Sequence, residues 1–110
     1  MPRRQWLVEF HSKCEVWADG LEQADAEALL AAVRVLRIEG PALGRPLVDT
    51  VVASRHANMK ELRPGSTGRT EIRVLFAFDA ERTAMLLVGG DRGGHDLEGV
   101  GEEGPERSRR

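Results

Sequence analysis

Apolar and polar residues alternate at the start of the chain, where Trp6, Val8 and Phe10 share one side and predict a half-buried strand over residues 5–10. The spacing then changes. Ser12 followed three positions later by Glu15 has the form of a capping box, which predicts a short helix with Ser12 as N-cap, ending at Gly20 and turning Trp17 inward. From Leu21 to Ile38 the chain is rich in Ala and Leu. Ala26, Leu29, Ala32, Val33 and Leu36 form a stripe at helical spacing there, so this is the main helix. Gly40-Pro41, with Gly44 and Pro46 behind it, ends that helix in a connecting loop.

Beyond the loop, β-formers take over. Val48–Ala53 reads as a short strand or an ordered loop, and Asn58–Arg63 as a strand stopped by Pro64-Gly65. Arg69–Phe78 and Thr83–Val88 are two further strands, joined at the polar turn Asp79-Ala80-Glu81-Arg82. The order predicts an α+β fold with an N-terminal strand and helices packed on a small antiparallel sheet, because sheet and helices each have one apolar side to hide. Seven glycines fall in the sixteen positions from Gly89 to Gly104, and no apolar residue occurs from Glu102 to Arg110. One domain over residues 1–92 and a disordered tail over 93–110 are expected.

Composition narrows the class. The 110 residues are 41% hydrophobic and 31% charged, enough apolar material for one modest core under a charged surface. The longest apolar stretches, Val74–Phe78 and Ala84–Val88, fall far short of the ~20 residues that cross a bilayer. Pro2-Arg3-Arg4 is not followed by a long apolar run, so a soluble, cytoplasmic protein with no membrane partner is expected. The lone Cys14 makes no internal disulfide and reads as a small core filler. His11, His56 and His95 lie in separate segments and no CxxC pair occurs, so no metal or cofactor is expected. Trp6 and Trp17 read as core residues rather than base-stacking platforms.

The net charge of −2 hides an uneven distribution. Residues 1–44 carry five Lys/Arg against seven Asp/Glu, residues 45–92 eight against six, and residues 93–110 three against five. The basic excess lies in the middle, with Lys60, Arg63, Arg69 and Arg73 close together. Strand alternation puts Ile72, Val74, Phe76 and Phe78 on the core side, and Glu71, Arg73, Leu75 and Ala77 on the other. A symmetric hairpin around residues 64–70 sets Arg63 opposite Glu71 and Glu61 opposite Arg73. Two readings follow. Cross-strand ion pairs of about 0.2–1 kcal/mol each are a purely structural role. Alternatively, two guanidiniums on an open sheet face, with Lys60 at its edge, receive a phosphate by bidentate hydrogen bonds.

A resemblance now enters. Met59-Lys60-Glu61-Leu62-Arg63, then Ile72-Arg73-Val74-Leu75-Phe76-Ala77-Phe78-Asp79, then Leu86-Leu87-Val88-Gly89-Gly90-Asp91-Arg92 resemble the signature of the phage-derived branch of RelE/HigB toxins. Gly40-Pro41-Ala42-Leu43-Gly44-Arg45-Pro46 is similar to that branch too, and the likeness runs from about Trp6 to Gly93. It implies the toxin of a type II toxin-antitoxin system on a RelE-like, microbial-ribonuclease-like fold. The implied activity is ribosome-dependent mRNA cleavage without metal or cofactor: a ribose 2′-OH attacks the adjacent phosphate, leaving a 2′,3′-cyclic phosphate and a 5′-OH. The implied partners are a helix-turn-helix antitoxin, mRNA on the ribosome, and operator DNA only through the antitoxin.

Such a reaction needs a proton removed from the 2′-OH, extra charge stabilised on the phosphorane, and a proton for the leaving oxygen. Carried over by motif, Arg63 and Arg73 are expected as phosphate clamps, Lys60 as a proton-transfer or charge-stabilising group, and Arg92 near the leaving group, where relatives usually carry Lys. The general base and acid stay unassigned. A net charge of −2 fits autonomous nucleic-acid binding poorly and favours a site completed by the ribosome. The end departs from the family, with Gly-rich sequence from Gly93 in place of an aromatic and basic C-terminal helix, and no Tyr in the chain. The alternative expectation is therefore a catalytically impaired, truncated homologue that acts as an antitoxin-binding regulatory module.

Overall fold

The alternating N-terminal segment forms β1 (Leu7–Phe10), followed by α1 (Ser12–Asp19) and α2 (Gln23–Glu39) in the computed structural model, which describes residues 4–51, 58–66 and 70–91. A 3-10 turn over Gly40–Ala42 leads into β2 (Val48–Thr50), β3 (Lys60–Ser66), β4 (Glu71–Phe78) and β5 (Thr83–Asp91). The five strands are ordered β1-β5-β4-β3-β2, all antiparallel except β1, which joins the edge parallel to β5. The expected α+β architecture is present.

The helices cover one face of the sheet. Leu29, Ala32, Val33 and Leu36 of α2 meet Leu62, Ile72, Val74, Phe76, Ala84 and Leu86 of the strands, and Cys14 fills space beneath α1. Burying these side chains is the main driving force for docking the helices. Trp6 and Phe78 pack edge to face at 5.2 Å, and Trp17 packs against the core, so both tryptophans are structural as expected.

Several boundaries differ from the sequence reading. The N-cap of α1 is His11, whose Nδ1 accepts from Lys13 N at 3.1 Å, in place of Ser12. The main helix starts two residues late, at Gln23. Its apolar stripe also contains a buried carboxylate, Asp25, which accepts from Thr70 Oγ1 at 2.7 and 2.8 Å. The Asp79–Arg82 turn is a hairpin as expected: Asp79 Oδ1 accepts from Glu81 N at 2.8 Å and Thr83 N at 3.0 Å.

The strand over 58–63 is corrected at both ends. Asn58, at φ +67°, lies outside the strand, and β3 runs from Lys60 on through Pro64-Gly65 to Ser66. Pro64 is tolerated because its nitrogen points toward β4 and falls in the irregularity between Leu62 and Gly65, where the ladder is interrupted, while Arg63 N on the other side still donates to Leu47 O. Gly89 and Gly90, beyond the end of the expected Thr83–Val88 strand, are strand residues opposite Val74 and Arg73. Gly89 has a packing reason: a Cβ there would stand 2.2 Å from Trp17 Cε3, so the indole lies directly on the backbone. The expected tail over 93–110 and Arg92 lie outside the described residues.

Candidate functional site

Strand parity decides which charges meet. β3 pairs with β4 as Lys60↔Phe76, Glu61↔Leu75 and Leu62↔Val74, then shifts to Gly65↔Ile72 across a bulge. The expected register, with Glu61 opposite Arg73 and Arg63 opposite Glu71, is therefore displaced by two residues. Gly65, at φ +113°, supplies the backbone that the bulge requires. A shift of two preserves faces, so Glu61, Arg63 and Arg73 still leave the sheet together on the side away from the helices.

Lys60 does not join them. It pairs with Phe76, whose side chain is fully buried in the core, so alternation sends the lysine stem to the helix side of the sheet. Of the four candidates, Arg63 and Arg73 share a face, Lys60 leaves by the other, and Arg92 lies outside the described residues.

On the shared face the charges alternate in sign along a ribbon. Arg45 Nη2 lies 3.0 Å from Asp49 Oδ2, Arg63 Nη2 lies 3.3 Å from the same oxygen, and Arg63 Nε donates to Glu61 Oε1 at 2.9 Å. That Glu61 oxygen stands 3.7 Å from Arg73 Nε, and Arg73 Nη2 is 3.8 Å from Glu71 Oε1. The centre of the ribbon is the least solvated, with the Glu61 and Arg73 side chains 12% and 13% exposed. The hydrogen-bonded Arg45 guanidinium holds the Asp49 carboxyl below the usual carboxylate range, helped by the Thr50 N–H and by the Arg45 and Arg63 charges.

The two guanidiniums are engaged unequally. Arg63 is bonded to one carboxylate and ion-paired to a second, whereas both contacts of Arg73 to carboxylates exceed hydrogen-bond length. Arg73 donates from Nη1 to Ile72 O at 3.3 Å, and its buried Nε has no hydrogen-bond partner among the described residues. A buried guanidinium N–H without a hydrogen-bond partner carries an unrecovered desolvation cost, which an anion taking the place of the Glu61 carboxylate 3.7 Å away would relieve. Sequence reasoning had placed Glu61 here as a pairing partner but missed Asp49. The polar side chain between Val48 and Thr50 in a short strand was the signal for it.

The chain matches the family described as phage-derived protein Gp49-like over residues 16–98. It is 56% identical over 89 residues to the putative toxin HigB2 of Mycobacterium tuberculosis, covering 81% of this chain and 44% of that protein. It is 48% identical over 81 residues to the putative toxin HigB3 of the same organism, covering 74% of this chain and 68% of that protein. This chain thus spans less than half the length of the first relative and about two thirds of the second. Among solved structures it is similar to the toxin-antitoxin complex RelBE2 from M. tuberculosis, with TM-score 0.61, 19% identity, and 80% and 99% of the two chains covered. It also resembles a mutant of E. coli toxin RelE in the free state, with TM-score 0.63, 13% identity, and 94% and 97% covered. On the sequence match and the shared fold, the chain belongs to the Gp49-like family of phage-derived proteins and is built on the RelE fold.

Proposed function

We propose that this chain is the toxin of a type II toxin-antitoxin pair and cleaves mRNA on the ribosome, with its outer sheet face against the sugar-phosphate backbone. The reading is supported by family membership and by the likeness to putative HigB toxins. The observation that carries it is Arg73, a mostly buried guanidinium with an N–H that no carboxylate in the ribbon accepts. Placed on a scissile phosphate, Arg73 stabilises the charge that builds on the phosphorane, and Arg63 beside it does the same once its carboxylates yield. Lys60, on the opposite face, serves only at the strand margin, and Arg92 remains a candidate beside the leaving oxygen.

In this proposal the antitoxin is of the helix-turn-helix class and silences the toxin by binding it; three of the similar solved structures are complexes of a RelE toxin with its RelB antitoxin. The ribosome supplies RNA alignment that a chain of net charge −2 does not supply by charge alone.

A second reading has its own observation. Arg63 is held by Glu61 and Asp49 together, which suits an ion-pair ribbon that stabilises the sheet in a non-cleaving, antitoxin-binding homologue. Induced expression without antitoxin, with 5′ ends of cellular mRNA mapped, separates the two. Growth arrest with new 5′-OH ends, both lost in Arg73→Ala, supports the nuclease. Normal growth with antitoxin binding retained supports the module.

A further inference from the structure

Away from the charged ribbon, α1, α2 and β1 enclose an open groove of about 310 Å³. Its apolar lining includes Phe10, Ala18, Leu29 and Leu30, and Glu15 and Asp19 stand along it from α1. Among the described residues, no lysine or arginine lines it. Leu29 is in the core, but Leu30 is 53% exposed, a large aliphatic side chain left in water at the side of a cavity.

The surroundings are predominantly acidic. Residues 12–31, which hold α1 and the first half of α2, contain one lysine against five carboxylates, while the chain as a whole is only −2. Glu15 and Asp19 are one helical turn apart on α1, so their carboxylates are side-by-side acceptors about 6 Å apart. An apolar trough beside two carboxylates one turn apart is complementary to an amphipathic helix that offers aliphatic side chains inward and Lys or Arg one turn apart at its margin.

We propose that this groove is a docking site for a cationic amphipathic helical segment of another protein. Charge excludes two other occupants. A second copy of this chain brings the same acidic hairpin against itself, and residues 93–110 carry five carboxylates against three arginines. The site is on the helix layer, separate from Arg63 and Arg73, and its occupancy does not depend on whether the chain cleaves RNA.

The test uses the full chain, isotope-labelled, and an amidated helical peptide with leucines at i, i+3, i+4 and i+7 and lysines on the flanking positions. A second peptide has glutamate in place of each lysine. The lysine peptide should move the amide signals of Ala18, Leu29 and Leu30 saturably at low salt, and the glutamate peptide should not. Affinity should fall about fivefold in the Glu15→Gln, Asp19→Asn double variant and again in Leu30→Ser. All of these side chains are exposed or groove-lining, and retained signal dispersion in the unbound variants shows that they fold.

Four results would overturn the proposal. These are equal binding of both peptides, shifts confined to β3 and β4, and affinity indifferent to the three substitutions. The fourth is an occupied groove in the free chain, seen either as a dimer dispersed by Leu30→Ser or as groove signals that move when residues 93–110 are removed.

Discussion

Glu61 and Arg73 face each other at 3.7 Å, close enough to attract and too far to hydrogen-bond, while the same Glu61 oxygen is bonded to Arg63 at 2.9 Å. One carboxylate therefore serves two guanidiniums and, on the proposed function, occupies the space that a phosphate would enter. Glu61→Gln removes the resident anion without removing bulk. Inorganic phosphate should then bind several-fold more tightly, measured by calorimetry at low salt. Stability should fall by about 2 kcal/mol in urea denaturation, because a charge-assisted bond is weakened and two like charges are left adjacent. Phosphate binding unchanged by the substitution would show that the ribbon is structural only.

The unequal engagement of the two arginines sets an order of effects. Arg73 has an uncommitted buried N–H, and Arg63 already has two carboxylate partners. Arg73→Ala should lower the rate of mRNA cleavage on ribosomes by a factor of about 10²–10³, the range for removing one donor from a charge-stabilising site. Arg63→Ala should cost less in rate and more in stability, since it frees Glu61 and Asp49 from their shared cation. Primer extension on a single ribosome-bound message, beside thermal unfolding of both variants, reads the two quantities. A larger rate loss in Arg63→Ala would reverse the assignment.

Why the sequence yields some of this and not the rest is visible in particular residues. The α2 stripe and the Asp79–Arg82 hairpin are local, set by helical periodicity and by one side chain bonding its own turn, so both could be read directly. Asp25 was not legible, because its hydroxyl partner Thr70 lies 45 residues away. The β3–β4 register is a tertiary fact: pairing runs as Gly65↔Ile72 next to the loop and as Leu62↔Val74 beyond the bulge, which leaves Glu61 two residues away from its expected partner. That error kept Arg63, Glu61 and Arg73 on one face because two is the period of a strand. Lys60, one position from Glu61, was grouped with the arginines by sequence nearness, which parity forbids. Gly89 was counted as the start of a glycine-rich stretch, whereas its use here is the space it leaves for Trp17.

That space makes a sharp stability prediction. A methyl group at position 89 would be driven into the Trp17 ring, with Cε3 and Cζ3 at 2.2 and 2.3 Å. Gly89→Ala should destabilise the fold by about 1–3 kcal/mol, the usual cost of overpacking. Pairing it with Trp17→Leu should recover part of that loss, giving a non-additive double-mutant cycle by urea denaturation. Strictly additive costs would mean that the indole can move aside, and that Gly89 is not what fixes α1 over β5.

Cys14 makes the pH dependence testable. It is fully buried, and burial pushes its thiol up to about 11 from an ordinary 9.0. A raised value means the folded state keeps the proton after the unfolded chain has released it. The contribution is complete below pH 9 and is lost as pH rises toward 11, about 2–3 kcal/mol across that window. The chain contains no tyrosine, so absorbance over this range is free of phenolate ionisation and tryptophan fluorescence can follow unfolding. Cys14→Ala should be less stable at pH 7, because it leaves a small void, yet should lose the extra fall in stability between pH 9 and 11. At pH 8 the native thiol should react with iodoacetamide far more slowly than the urea-unfolded thiol, since only the thiolate attacks and burial suppresses both its formation and its access. Equal labelling rates in the two states would place Cys14 outside the core.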